Sequence, residues 1–209
     1  MPTTLTLTPT GQVLTVPTSW ADVPLGTFVA LLAPEPDEPR TAAELLLGLE
    51  ASALDQLAAG DVQYIANLLQ FSQDVAPVTE LLPTVGLPDV GALPYGCLLL
   101  CQAEFERNAD RSVVASMPYV LAVYRCQLTY GSTDRVAQVL AAVLAAPVTE
   151  VWADAQAFTA RCTSWPSSSA PMTTTPATTK MPSWMRAWKR WLKSMAPRFR
   201  SMRWRAATF

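Results

Sequence analysis

No histidine occurs among the 209 residues. The usual proton shuttle near neutral pH is missing, so acid–base chemistry would fall to carboxylate, lysine, tyrosine or cysteine side chains. A glycine-rich phosphate loop, a serine in a nucleophile elbow and a carboxylate-rich metal loop are missing too. Lysine is absent from residues 1 to 162, which hold six Arg and all 17 acidic residues. Acids are absent from residues 163 to 209, which hold nine Lys and Arg. A net charge of −2 therefore hides an acidic body and a basic tail, and the tail is expected to seek something anionic. No stretch reaches the roughly 18 apolar residues needed to cross a bilayer. The opening Met1-Pro2-Thr3-Thr4-Leu5-Thr6 has neither the basic start nor the apolar run of a secretory signal. These absences predict a soluble protein made in a cytoplasm, not an enzyme, with no cofactor and no metal. A cysteine nucleophile beside a carboxylate is the catalytic arrangement left open.

What is present reads as mainly α: a helical bundle with a short N-terminal β-hairpin, a disordered linker and a short amphipathic C-terminal helix. Residues 1–16 hold two alternating β-branched runs around Pro9-Thr10-Gly11-Gln12, the pattern of a hairpin. An isolated hairpin is marginal in water, so it must lie on the helices or pair with another chain. Residues 17–162 form the acidic helical body. Thr18 or Ser19 is placed to cap a helix running to about Leu32, and Pro34 to Pro39 forms an acidic loop. Thr41 and Glu44 have capping-box spacing ahead of a helix from Ala42 to about Leu49. Ser52 is read as capping a turn of helix that Gly60 ends, and Asp61 as capping the next, with Val62, Ile65, Leu68, Leu69 and Phe71 at helical spacing. Three prolines and two glycines after Pro77 predict little regular structure between Asp74 and Pro94. Helices then follow at Tyr95–Asn108 with a Leu98, Cys101, Phe105 stripe, at Val113–Leu128, after a Thr133 cap with Val136, Val139, Leu140, Val143 and Leu144, and at Val148–Cys162 with Val151, Trp152, Ala155 and Phe158. Pro118 either starts its helix in the first turn or kinks it.

Residues 163–180 are a Thr/Ser/Pro linker with too little apolar surface to offset the entropy of ordering. Residues 181–209 are a basic, Trp-rich amphipathic tail. On a helix, Trp184, Trp188 and Trp191 fall on one side with Leu192 and Met195, and Arg186, Lys189, Arg190 and Lys193 on the other, before Pro197. Beyond it Trp204 sits among arginines. These eight residues, Trp204 included, are the candidate partner-binding set. Three modes fit them: lying in a membrane interface, stacking on a single nucleic-acid strand, or docking the Trp stripe into an apolar groove of a partner or of the body. A tail with no function of its own, such as an alternative reading-frame extension, is the plain alternative.

Two further groups have structural readings beside chemical ones. Glu104, Glu106 and Asp110 near Arg107 and Arg111 read as a salt-bridged, solvated helix face. Cys97, Cys101, Cys126 and Cys162 read as buried free thiols, although the i, i+4 pair Cys97 and Cys101 has the spacing to share a metal.

Several segments of the body resemble a known family. Pro17-Thr18-Ser19-Trp20-Ala21-Asp22-Val23-Pro24-Leu25, followed by Phe28, is similar to the opening of small helical proteins from bacteriophage tail gene clusters. Met117-Pro118-Tyr119-Val120-Leu121-Ala122-Val123-Tyr124 is similar to another of their helices. Pro147-Val148-Thr149-Glu150-Val151-Trp152 and Phe158 stand where the family has a closing helix with an aromatic pair, and Ala157 replaces a usual first Phe. The family is the phage tail assembly chaperones, and the resemblance covers about residues 17 to 162. It implies a non-enzymatic protein of the host cytoplasm that coats the tape measure protein and recruits tail tube subunits. It also implies a common domain that a frameshift extends in a longer form, a layout the linker and tail fit. The basic, Trp-rich tail itself has no counterpart in the family. Self-association and an anionic surface contacted by the tail are further partners of this reading. Two alternatives stand beside it: a structural tail or connector component of the virion joined through the hairpin by strand addition, and a membrane- or nucleic-acid-binding protein acting through residues 181–209.

Overall fold

The computed structural model describes residues 1–7, 11–34, 40–83 and 90–164. The acidic loop at 35–39, most of the linker and the whole tail lie outside the described residues. Two strands open the chain, β1 (Thr3–Thr6) and β2 (Val13–Val16), paired antiparallel with Thr3 opposite Val16 and Leu5 opposite Leu14. Gly11, at φ 69°, takes the left-handed backbone the turn requires, and its N–H donates to the Leu7 carbonyl at 2.9 Å. Leu14 and Val16 are buried while Val13 and Thr15 are exposed, the alternation of a one-sided strand. The covered side of β2 packs on α2 (Ala42–Leu47), so the hairpin does lie against the helices.

The other helices are α1 (Leu25–Leu32), α3 (Ala59–Leu68), α4 (Ala76–Thr79), α5 (Tyr95–Arg107), α6 (Met117–Tyr130), α7 (Val136–Ala145) and α8 (Val148–Ser164). Mainly α with a two-stranded hairpin is thus the architecture. Helix α6 is its axis, with Val120, Leu121, Ala122, Val123 and Cys126 all fully buried. It packs against α5 and α7, and α7 also meets α1. Pro118 sits in the first turn of α6, where its missing N–H leaves no intrahelical bond unmade.

Several sequence expectations shift. Pro24 divides the expected helix over 18–32 into a 3-10 turn at Trp20–Asp22 and α1, and neither Thr18 nor Ser19 caps α1. Their hydroxyls bond instead to the Asp22 carboxylate, at 3.1 and 3.2 Å. Gly60 and Asp61 lie inside α3, behind an N-cap at Ala58, rather than ending one helix and capping another. Ser52 holds a left-handed backbone (φ 63°) before a 3-10 turn at Ala53–Gln56 and makes no cap bond. Of the residues expected to bury α3 and its extension, Ile65 and Leu69 are buried and Val62, Leu68 and Phe71 half-buried. The Asp74–Pro94 stretch does carry α4, because Pro77 falls in a first helical turn, and a 3-10 turn at Val90–Ala92. Residues 113–116 form a 3-10 turn ahead of α6, and Arg135, not Thr133, occupies the N-cap of α7. Thr163 and Ser164, read as linker, close α8; the Thr163 hydroxyl bonds back to the Thr159 carbonyl at 3.1 Å.

The capping box is present as expected. The Thr41 hydroxyl accepts from the Glu44 N–H, and the Glu44 carboxylate accepts from the Thr41 N–H at 2.7 Å.

Candidate functional site

The residues behind the family resemblance build the core. The Trp20 ring meets Phe28 edge-on at 5.1 Å and Phe71 at 5.2 Å, and Phe28 in turn meets Trp152 at 4.9 Å. Tyr124 stacks on Phe158 at 4.4 Å. Each aromatic of the three motif segments except Tyr119 is buried among these contacts. Their spacing therefore records packing, and a binding surface has to be sought elsewhere. The eight tail residues, from Trp184 to Trp204, lie outside the described residues.

The charged cluster on α5 differs from its expected solvated face. Glu104 is only 8 % exposed, whereas Glu106 and Asp110 are exposed. One Glu104 oxygen pairs with the Arg107 guanidinium and the other accepts from the Asn108 amide at 2.8 Å. Arg111 does not continue the helix face, because α5 ends at Arg107. It turns instead to the Ala33 carbonyl at the C-terminus of α1, with its guanidinium donating at 3.0 Å. The buried stripe of α5 is accordingly Cys97, Cys101 and Glu104, while Leu98 and Phe105 are half-buried.

The four cysteines are free. Cys97, Cys101 and Cys126 are buried and Cys162 is half-buried. A hydrogen bond to Cys162, then burial, pushes the Cys101 thiol far up. Burial, then the neighbouring Cys101 and Cys126, pushes Cys97 up. A thiol held protonated is a poor nucleophile. Among the described residues no group of three or more Cys, Asp or Glu side chains is placed to hold a metal ion.

What the surface does offer is a half-open trough of about 490 Å³ lined by residues of α1, α2, α5, α7, the start of α6 and the segments beside them. Val29 and Ala30 from α1 and Leu140 and Leu144 from α7 supply apolar walls. Gly26 of α1 lies against α7, where a Cβ would meet the Leu144 side chain and carbonyl at 3.4 Å, an ordinary van der Waals contact. Arg40, Arg107 and Arg111 line the trough with Glu104 and Tyr119. Burial, then the Glu104 charge, pushes the Tyr119 phenol up, so it stays a neutral hydrogen-bonding group. Sequence reading missed this site because its residues come from four separate segments. The one available signal was the scarcity of cations in the body, which makes each arginine worth locating.

Compared with known proteins, the chain matches no family model, no curated protein and no solved structure. Among the described residues, no helix is long and apolar enough to cross a membrane.

Proposed function

We propose that this chain is a non-enzymatic phage tail assembly chaperone that works in the host cytoplasm, holding the tape measure protein and recruiting tail tube subunits. The observation that carries the reading is a solvent-open, partly apolar trough on an acidic helical body. Holding another polypeptide without turnover calls for an apolar contact surface together with net charge for solubility. The motifs that resemble the chaperones, from Trp20 to Phe158, are the ones that hold this body together. The tail residues Trp184, Trp188, Trp191, Trp204, Arg186, Lys189, Arg190 and Lys193 act in this reading as an auxiliary contact with an anionic surface.

Co-expression with the tape measure product of a neighbouring gene tests the proposal. Purified complex, or tape measure protein kept soluble only when this chain is present, is the expected result. Failure to associate removes the reading. A second reading, a structural component of the virion, is favoured by the two-stranded sheet, which pairs with no third strand among the described residues and so offers strand addition as a joint. Mass spectrometry of finished particles separates the two, since a chaperone is absent there and a component present.

A further inference from the structure

We infer that Cys101 and Cys162 are a redox latch: oxidation joins them in a disulfide that fastens the last turn of α8 to α5, and reduction releases it. The latch is independent of what the body holds.

Placement is the first argument. Cys162 continues, at helical spacing, the inward stripe that Val151, Ala155 and Phe158 form on α8. Cys101 sits on the buried stripe of α5 between Cys97 and Glu104. The two stripes meet, because the Cys101 thiol is hydrogen-bonded to Cys162. Hydrogen-bonded thiols have their sulfurs in contact, and what remains is closure to about 2.0 Å. Other pairings are worse placed. Cys97 and Cys101 stand i, i+4 on one helix, which holds Cβ atoms about 5–6 Å apart where a disulfide needs about 3.5–4.5 Å. The Cys97 thiol donates instead to the Gln127 side-chain oxygen at 3.6 Å, and Cys126 is fully buried.

Access is the second argument. Three of the thiols are buried, whereas Cys162 is half-buried in the last turn of α8, so an oxidant meets Cys162 first. With a peroxide, the Cys162 sulfur takes up one oxygen and becomes a sulfenic acid while the peroxide is reduced to water. The Cys101 sulfur then attacks the Cys162 sulfur. The S–S bond forms, the S–O bond breaks, and the hydroxyl leaves with the Cys101 proton as a second water. Because the partner sulfur is already adjacent, closure outruns attack by a second peroxide. The bond closes a loop that contains α6 and α7 and pins a helix end, the part of a helix that opens most readily.

The test uses full-length protein, fully reduced and then exposed to hydrogen peroxide, with the remaining thiols alkylated in urea before peptide mapping. The expected product is a cross-linked peptide pair joining Cys101 to Cys162, lighter by two hydrogens and separated again by dithiothreitol, with Cys97 and Cys126 recovered as alkylated thiols. The oxidised protein should melt about 5–10 °C higher than the reduced one. Trypsin should cut after Arg161, which is exposed in the same turn, at least about tenfold more slowly once the link has formed. Cys162→Ser, a small change at a half-buried position, should show neither effect of peroxide, and its melt under reducing conditions checks that it folds. The parent protein needs no variant for the mapping, so a variant that misfolds does not spare the inference. Thiols that all stay free overturn it. So does a Cys162–Cys162 link between two molecules, a link within α5, or Cys162 carried on to the sulfinic acid with Cys101 still free. A Cys101–Cys162 link that leaves melting and cleavage unchanged overturns it too, since the pair then fastens nothing.

Discussion

Pro24 and Pro147 face each other across an isolated antiparallel bridge that joins the starts of α1 and α8. Neither proline has an N–H to give, and the residues that follow them do the bonding. The Leu25 N–H donates to the Ala146 carbonyl at 2.9 Å, and the Val148 N–H to the Val23 carbonyl at 2.8 Å. The first amides of a helix ordinarily lack an acceptor and exchange readily. Here Leu25 is tied to a residue 121 positions away and Val148 to one 125 positions away. Amide hydrogen exchange should show Leu25 and Val148 as protected as the middle of α6. Exchange as fast as at the first turn of α3 would mean that the clasp does not persist in solution.

The two ends of the aromatic core differ in how well they are satisfied. Phe158 is fully buried and stacks on Tyr124, so Phe158→Ala should cost about 3–5 kcal/mol in denaturant unfolding. Trp152 is also fully buried, but its indole N–H finds no hydrogen-bond acceptor among the described residues. An unsatisfied buried donor costs about 1–3 kcal/mol, and Trp152→Phe removes it along with some packing. The two effects oppose, so that variant should unfold within about 1 kcal/mol of the parent. A loss as large as that of Phe158→Ala would show that the indole is satisfied.

Fold class was legible in the sequence because it depends on local signals. The strand alternation at Leu14 and Val16, the Thr41 and Glu44 capping pair and the Val151, Trp152, Ala155, Phe158 stripe all act within a few residues. Boundaries failed where two local signals competed. Pro24 overrode the caps at Thr18 and Ser19, and Gly60 sits inside α3, where a single glycine costs only about 1 kcal/mol relative to alanine. The candidate site was hardly legible, since it needs Arg40, Arg107 and Leu144 side by side and no periodicity reports contacts over such separations. Glu104 shows the limit most directly. Its spacing to Arg107 fits a surface pair, and only the packing of Ser116 against its carbonyl, at 3.3 Å, reveals that it is inside.

Acid should destabilise the body through Glu44. Burial alone would raise its carboxyl, but hydrogen bonds from the Thr41 N–H and hydroxyl and from the Leu54 and Ser52 N–H groups outweigh it and hold the group below its ordinary 4.5. A carboxylate lowered by folding contributes stability that is fully present above its unfolded value and is lost as the pH falls through its folded one. Urea midpoints should therefore drop from about pH 4.5 downward. Glu44→Gln strands several of those donors and should cost about 1–3 kcal/mol at pH 7. The difference between parent and variant should shrink as the pH falls below 4.5 and the parent's carboxylate takes up its proton. A gap that stays constant with pH would detach the effect from ionisation.

The alkaline side should be governed by the thiols between α5 and α8. The bond to Cys162 and burial keep Cys101 protonated well above its ordinary 9.0, and burial does the same for Cys97. For an acid raised by folding, the unfolded chain ionises first, so the stabilisation is complete below about pH 9 and declines as the pH climbs past it. Urea midpoints measured from pH 7 to about 10.5 should fall in the upper half of that range, and Cys101→Ala should fall less steeply. Labelling adds a kinetic readout of the same burial. At pH 8 a thiol reagent should modify the half-buried Cys162 in the native protein but reach Cys97, Cys101 and Cys126 only when urea unfolds it. Rapid native labelling of Cys101 would mean that α8 does not stay seated over α5, and the alkaline slope would then need another source.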